Sequence, residues 1–205
     1  NSVWRWCSPA NATLSTDMGA KMLPGAPVAM AVFDDLEPRI ATLTASGRPP
    51  GLGTMLVGND DASAGYIRMK QEKAAAIGVH SRHIQLADDA SQSDVLAAVA
   101  EYNADDRIDA VLFQYPPPAH IDFEAALLAL DPDKDVDGLH PVNIGRLALG
   151  LAGPVPCTPA GIEALLAHYD IAVAGRHVVI LGRGMTIGRP LSLLLSQKRP
   201  TANAA

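Results

Sequence analysis

The chain has 205 residues, 48% of them apolar, two cysteines and a formal charge of −6. That length suits one large domain or two small ones. The acidic balance, with no basic run, excludes nucleic acid and anionic membrane as expected partners. No apolar stretch reaches the ~18 residues of a spanning helix, and two cysteines give no disulfide framework, which favours a reducing cytoplasm.

Residues 1–17 show neither periodicity nor a signal-peptide layout. We expect a disordered leader there, with Met18 as a candidate initiator. Val28, Val32, Leu36, Ile40 and Leu43 then recur at helical spacing. Pro38 is expected to kink or break that helix near Glu37. Gly51 to Val57 reads as a buried strand, and a helix follows from about Ala62 to Ile77, closed by Gly78. Val79 to Leu86 is a second strand. Ser91 and Asp94 have the spacing of a capping box ahead of a helix over Val95 to Tyr102. Ile108 to Phe113 is a third strand, ended by Pro116-Pro117-Pro118, and Asp122 caps a helix through Leu130. Such alternation is the signature of a mostly parallel sheet covered on both faces, an α/β fold.

From Pro132 to Gly145 no period fits, and prolines and glycines punctuate a loop carrying Asp133, Asp135 and Asp137. On composition alone it reads as a solvated linker or as the wall of a ligand cleft. Thr158-Pro159 predicts an N-cap and first helical position for a helix to about Tyr169. His177 to Leu181 reads as a strand running into Gly182, Arg183, Gly184 and Gly188, then a helix over Leu191 to Ser196. Strand, glycine turn and helix in that order open a dinucleotide-binding unit. The chain stops one step into that unit, so we expect it to be a fragment whose apolar sheet face lies uncovered.

Four positions outside the glycine turn carry candidate chemistry. Tyr66 and Lys70 share one helical face, a ring to stack on a flat ligand and an amine to move a proton; Lys73 is an alternative lysine. Gln114 ends a strand, where ligands of parallel sheets collect. Asp137 sits in the acidic loop. In the turn, helix-terminal amides favour a phosphate, and Arg183 favours NADP over NAD through charge-assisted bonds to a ribose phosphate. The histidines show no metal-ligand spacing, and no metal is expected.

Seven stretches in register carry a further signal. They are Val57-Gly58 through Ala62-Ser63, Tyr66 through Lys70, Gln114 before the prolines, Asp133 through Gly138, His140 through Leu147, Pro156 through Gly161, and Gly182 through Pro190. Together they resemble the bifunctional methylenetetrahydrofolate dehydrogenase/methenyltetrahydrofolate cyclohydrolase family. The resemblance implies a three-layer, parallel-sheet α/β catalytic domain over residues 18–155. It also implies the start of a Rossmann-like NADP-binding domain over 156–205, in a homodimer. It makes Lys70 the catalytic lysine, Gln114 its partner, Tyr66 the ring against the folate and Asp137 the carboxylate holding the pterin. The implied chemistry is oxidation of 5,10-methylenetetrahydrofolate by NADP, then hydrolysis of the methenyl cation to 10-formyltetrahydrofolate. Pro24-Gly25-Ala26, Tyr115, Pro117 and Gly184 depart from the usual pattern, and the family's later glycine-rich segment is not present. Two other readings stand beside this one: a non-catalytic truncated homologue serving as a binding or dimerisation module, and an NADP oxidoreductase for another small substrate.

Overall fold

A computed structural model describes residues 21–199 and 202–204. The leader expected over 1–17 lies outside the described residues. Three parallel strands, β1 (Gly51–Val57), β2 (His80–Leu86) and β3 (Ala110–Phe113), form a sheet in the order β2-β1-β3. Three helices accompany it: α2 (Asp61–Ala76), α3 (Gln92–Ala104) and α4 (Phe123–Ala129). The chain passes from β1 outward to β2, then back across β1 to β3. Right-handed crossovers in opposite directions set α2 and α3 on opposite faces of the sheet.

The core lies on the α3 side. Met55, Val57, Val111 and Phe113, alternate residues of β1 and β3, bury against Val95, Val99 and Tyr102 of α3 and Ala126 of α4. The hydroxyl of Tyr102 donates to the carbonyls of Thr54 (2.8 Å) and Arg82 (3.2 Å), so the buried ring leaves no polar atom unpaired. Helix starts follow local chemistry. Asp122 accepts from the Ala125 amide, and Ser91 and Asp94 form the expected capping box, although that helix begins at Gln92 rather than at Val95.

Four expectations are corrected. First, α1 (Gly25–Ala45) runs through Pro38 without the break allowed for near Glu37. Pro38 removes only the bond to the Asp34 carbonyl, and both residues are exposed, so water takes the missing partner's place. Second, the supposed loop gives way to helix from Pro141 onward. Pro141–Leu149 forms α5, with Pro141 at its first position and the His140 ring accepting from the Val142 amide. Third, α6 (Cys157–His168) begins ahead of Thr158; Pro156 caps it through an extended backbone, with no side-chain bond. Fourth, residues 177–181 form no strand. A strand needs a neighbour's backbone, and among the described residues none pairs with this segment; Val179 and Leu181 are 72% and 97% exposed. Helix α7 (Gly188–Leu195) then buries Leu191, Leu194 and Leu195, two of them with Val173 and the flanking apolar residues of α6. No helix among the described residues is long and apolar enough to cross a membrane.

Candidate active site

At its carboxyl end β1 leads to α2 on one face, while β3 leads to α4 on the other. Two adjacent strands that part in this way open a crevice between them, the switch point at which α/β folds place ligands. A cavity of about 250 Å³ opens here. Its walls include Lys70 from α2, Gln114 just past β3, Asp137 from the acidic loop, Cys157 from α6 and Thr186 from the glycine turn. Three groups far apart in sequence, a lysine amine, an amide and an aspartate carboxyl, thus share one hollow. Tyr66 lies one turn before Lys70 on α2, 40% exposed, and is not among the cavity's lining residues.

The acidic loop is held by buried polar bonds rather than solvated. Asp135 is 1% exposed, and its Oδ2 accepts from the His140 amide (2.8 Å) and from Asn143 Nδ2 (2.9 Å). Asn143 also donates to the Pro132 carbonyl, and Arg146 ties Asn143 to Asp133. Lys134 donates to three carbonyls at the end of α3. The backbone of Asp135 bridges Val111 in β3, so the loop continues the sheet's edge and fixes where Asp137 stands.

Burial pushes the Asp137 carboxyl above the usual carboxylate range; Lys70 pulls it back, the charge of Asp135 adds to the rise, and a bond from the Cys157 thiol opposes it. Cys157 is exposed as a residue, but its sulfur turns inward, 3.6 Å from the Val136 carbonyl. Burial first, then the Asp137 charge, push its thiol up to about 11, so it remains protonated at neutral pH. The residue types and spacings did not single out Cys157, Thr186 or the Asp135–Asn143 pair. Their signal was their place inside the recognised stretches, not any spacing of their own.

The desolvated Asp137 charge works against folding. Below about 3.8 the carboxyl is protonated in both folded and unfolded chains and the cost is absent. As the pH rises through the unfolded and then the raised folded value, the unfolded chain releases its proton first, and stability falls. Asp137→Asn is therefore expected to melt above the parent protein at pH 7, with the gap closing toward pH 3. Melting curves across that range check this; a variant that melts lower at pH 7 contradicts it.

The glycine turn is tested by its own geometry. A Cβ on Gly188 would lie 2.2 Å from the Gly182 carbonyl oxygen, and Gly182 has φ +135°. The start of α7 therefore seats directly on the turn only with these two glycines. A Cβ on Gly184 would meet nothing within 4 Å, and Arg183 is exposed. An open backbone loop at a helix start, with an exposed guanidinium beside it, fits a nucleotide's phosphates.

Residues 23–137 match the family model described as tetrahydrofolate dehydrogenase/cyclohydrolase, catalytic domain, and residues 156–205 match the model of its NAD(P)-binding domain. The chain belongs to the tetrahydrofolate dehydrogenase/cyclohydrolase family. Curated members agree. The chain is 57% identical over 193 residues to bifunctional protein FolD 1 of Salinispora tropica, covering 94% of this chain and 63% of that protein. It is 53% identical to bifunctional protein FolD of Syntrophotalea carbinolica, covering 92% of this chain and 65% of that protein. Thus the chain spans just under two thirds of the length of these relatives. Among solved structures, FolD of Campylobacter jejuni superimposes with a TM-score of 0.85 at 32% identity, over 90% of this chain and 64% of that one. The Trypanosoma brucei dehydrogenase-cyclohydrolase, solved with NADP cofactor and an inhibitor, gives 0.84 at 34%, over 91% and 64%. The register of motifs and the family fold agree along most of the chain.

Proposed function

We propose that this chain carries the catalytic centre for two consecutive steps on a folate-bound carbon. The first is NADP-dependent oxidation of 5,10-methylenetetrahydrofolate to 5,10-methenyltetrahydrofolate; the second is hydrolysis of that cation to 10-formyltetrahydrofolate. The observation that carries the reading is the convergence of Lys70, Gln114 and Asp137 on one cavity at the sheet's switch point.

Asp137 holds the pterin. Its half-buried carboxylate lacks the hydration it would have in water, and the N–H donors of a pterin edge restore those bonds. Tyr66, on the same face of α2 as Lys70, stacks on the folate ring at the edge of the site. Lys70 handles protons. Water adds to the electron-poor methenyl carbon and gives one proton to the neutral lysine amine. The resulting carbinol then loses its hydroxyl proton as the carbon–N5 bond breaks; N5 takes a proton, the formyl group stays on N10, and one proton is released to solvent. Gln114 holds the lysine and the water in register with its amide. NADP, when bound, supplies the hydride acceptor for the first step. Gly182, Arg183, Gly184 and Gly188 would hold its phosphates, and the exposed Arg183 supports a 2′-phosphate and hence NADP over NAD.

With the family resemblance goes the further proposal of a homodimer in the cytoplasm, working in one-carbon metabolism that feeds purine biosynthesis. Residues 18–155 then form the folate-binding domain and 156–205 the opening of the cofactor domain. Purified protein supplied with methylenetetrahydrofolate and NADP is expected to form NADPH, and to hydrolyse methenyltetrahydrofolate when that is supplied alone. NADPH formation also rejects the non-catalytic reading. A folded protein with neither activity overturns the proposal.

A further inference from the structure

Thr186 belongs to the glycine turn, yet it lines the cavity that holds Lys70, Gln114 and Asp137. It is half-buried. Other hydroxyls on the helices are engaged: Ser192 donates to the Arg189 carbonyl (2.7 Å), Ser196 to Leu193 (3.1 Å) and Thr42 to Pro38 (2.8 Å). The Thr186 hydroxyl has no hydrogen-bond partner among the described residues, although the residue lines a site built of polar groups. Thr158 also lines the cavity, but from the first turn of α6 rather than from the glycine turn. Of the turn's residues 182–188, Thr186 alone borders this hollow.

We propose that Thr186 is a positioning residue that ties the cofactor turn to the folate cleft, its hydroxyl bonding the carboxamide of the nicotinamide ring. The inference rests on the reading above and deepens it. The turn's backbone grips the phosphate end of the cofactor, while hydride transfer needs the other end laid face to face with the folate carbon. A flexible dinucleotide held at its phosphates alone leaves that ring free to turn. One hydroxyl on the same turn, at the wall of the cleft, removes part of that freedom. Water addition to the methenyl cation needs no nicotinamide, so the contact bears on the first step more than the second.

Thr186→Val, which keeps the shape and removes the hydroxyl, tests this in the purified protein. Loss of one hydrogen bond is expected to weaken NADP binding about tenfold. Binding of 2′-phosphoadenosine diphosphate ribose, which lacks the nicotinamide, should shift far less. The ratio of dehydrogenase to cyclohydrolase turnover should fall by about tenfold, and Thr186→Ser should restore both. Equal weakening of NADP and its nicotinamide-free fragment would show a contact with the phosphates or a distorted turn and overturn the proposal. So would an unchanged ratio, or a loss that serine does not rescue. If the parent protein lacks both activities, the folate reading fails first; NADP binding that still discriminates the nicotinamide would keep the Thr186 contact separate from that failure.

Discussion

Lys70→Met is expected to lower cyclohydrolase turnover by about a thousandfold while leaving the fold intact. Methionine keeps most of the lysine's apolar stem, so the α2 face packs as before and only the amine is lost. General acid–base groups contribute roughly 10²- to 10⁴-fold. Among the described residues no other lysine or arginine borders the cavity: Lys73, three residues on, is exposed and lies over the Phe33 ring at 5.8 Å. The check is methenyltetrahydrofolate hydrolysis measured beside the melting temperature. Turnover within tenfold of the parent, at an unchanged melting temperature, would remove Lys70 from the proposed role. Lys73→Met serves as the comparison and should leave the rate near that of the parent.

The second large effect concerns stability at the same place. Gly138→Ala should destabilise the protein by about 3 kcal/mol. Gly138 follows Asp137 directly and has φ +63°, a left-handed conformation that costs an L-residue roughly 1–2 kcal/mol. A Cβ there would lie 2.8 Å from the Pro156 nitrogen and from the Val155 carbonyl carbon, and 3.0 Å from the Pro154 oxygen. All three are backbone atoms, and Pro156 with its neighbour Cys157 walls the cavity. No side chain can swing aside, so the two segments must part, adding overpacking strain of about 1–3 kcal/mol. The urea midpoint measures this. Gly145→Ala, in α5 with nothing within 4 Å of the new Cβ, is the control and should be neutral or stabilising. A Gly138→Ala midpoint equal to the control's would mean that the acidic loop and the start of α6 do not touch as described.

Local chemistry was legible from the residues. Ser91 with Asp94, and Asp122 alone, announce helix starts because their side chains bond amides three residues on, a contact that needs no distant partner. Strand β1 was legible because an apolar run between a proline pair and a turn has few other fates. Misreadings came where a distant or unexpected partner decides. Residues 177–181 have strand composition, but a ladder exists only between two backbones. Helix α5 hid behind the acids of the loop, although Pro141 at its first position and Gly150 in the left-handed conformation at its end were both signals. Thr158 looked like a cap by type, whereas the extended backbone of Pro156 starts α6 sooner.

The candidate site divides in the same way. Order and spacing of motifs along the chain were enough to indicate the family, because those are properties of one dimension. Nothing in one dimension says that an amine on α2, an amide past β3 and a carboxylate in a loop meet; that follows from opposite crossovers parting at β1 and β3. The same folding raised the Asp137 carboxyl and turned the Cys157 sulfur inward, since desolvation is set by what surrounds a group and not by its neighbours in the chain. Residue types supplied the reagents, and the three-dimensional packing supplied their distances, exposure and charge.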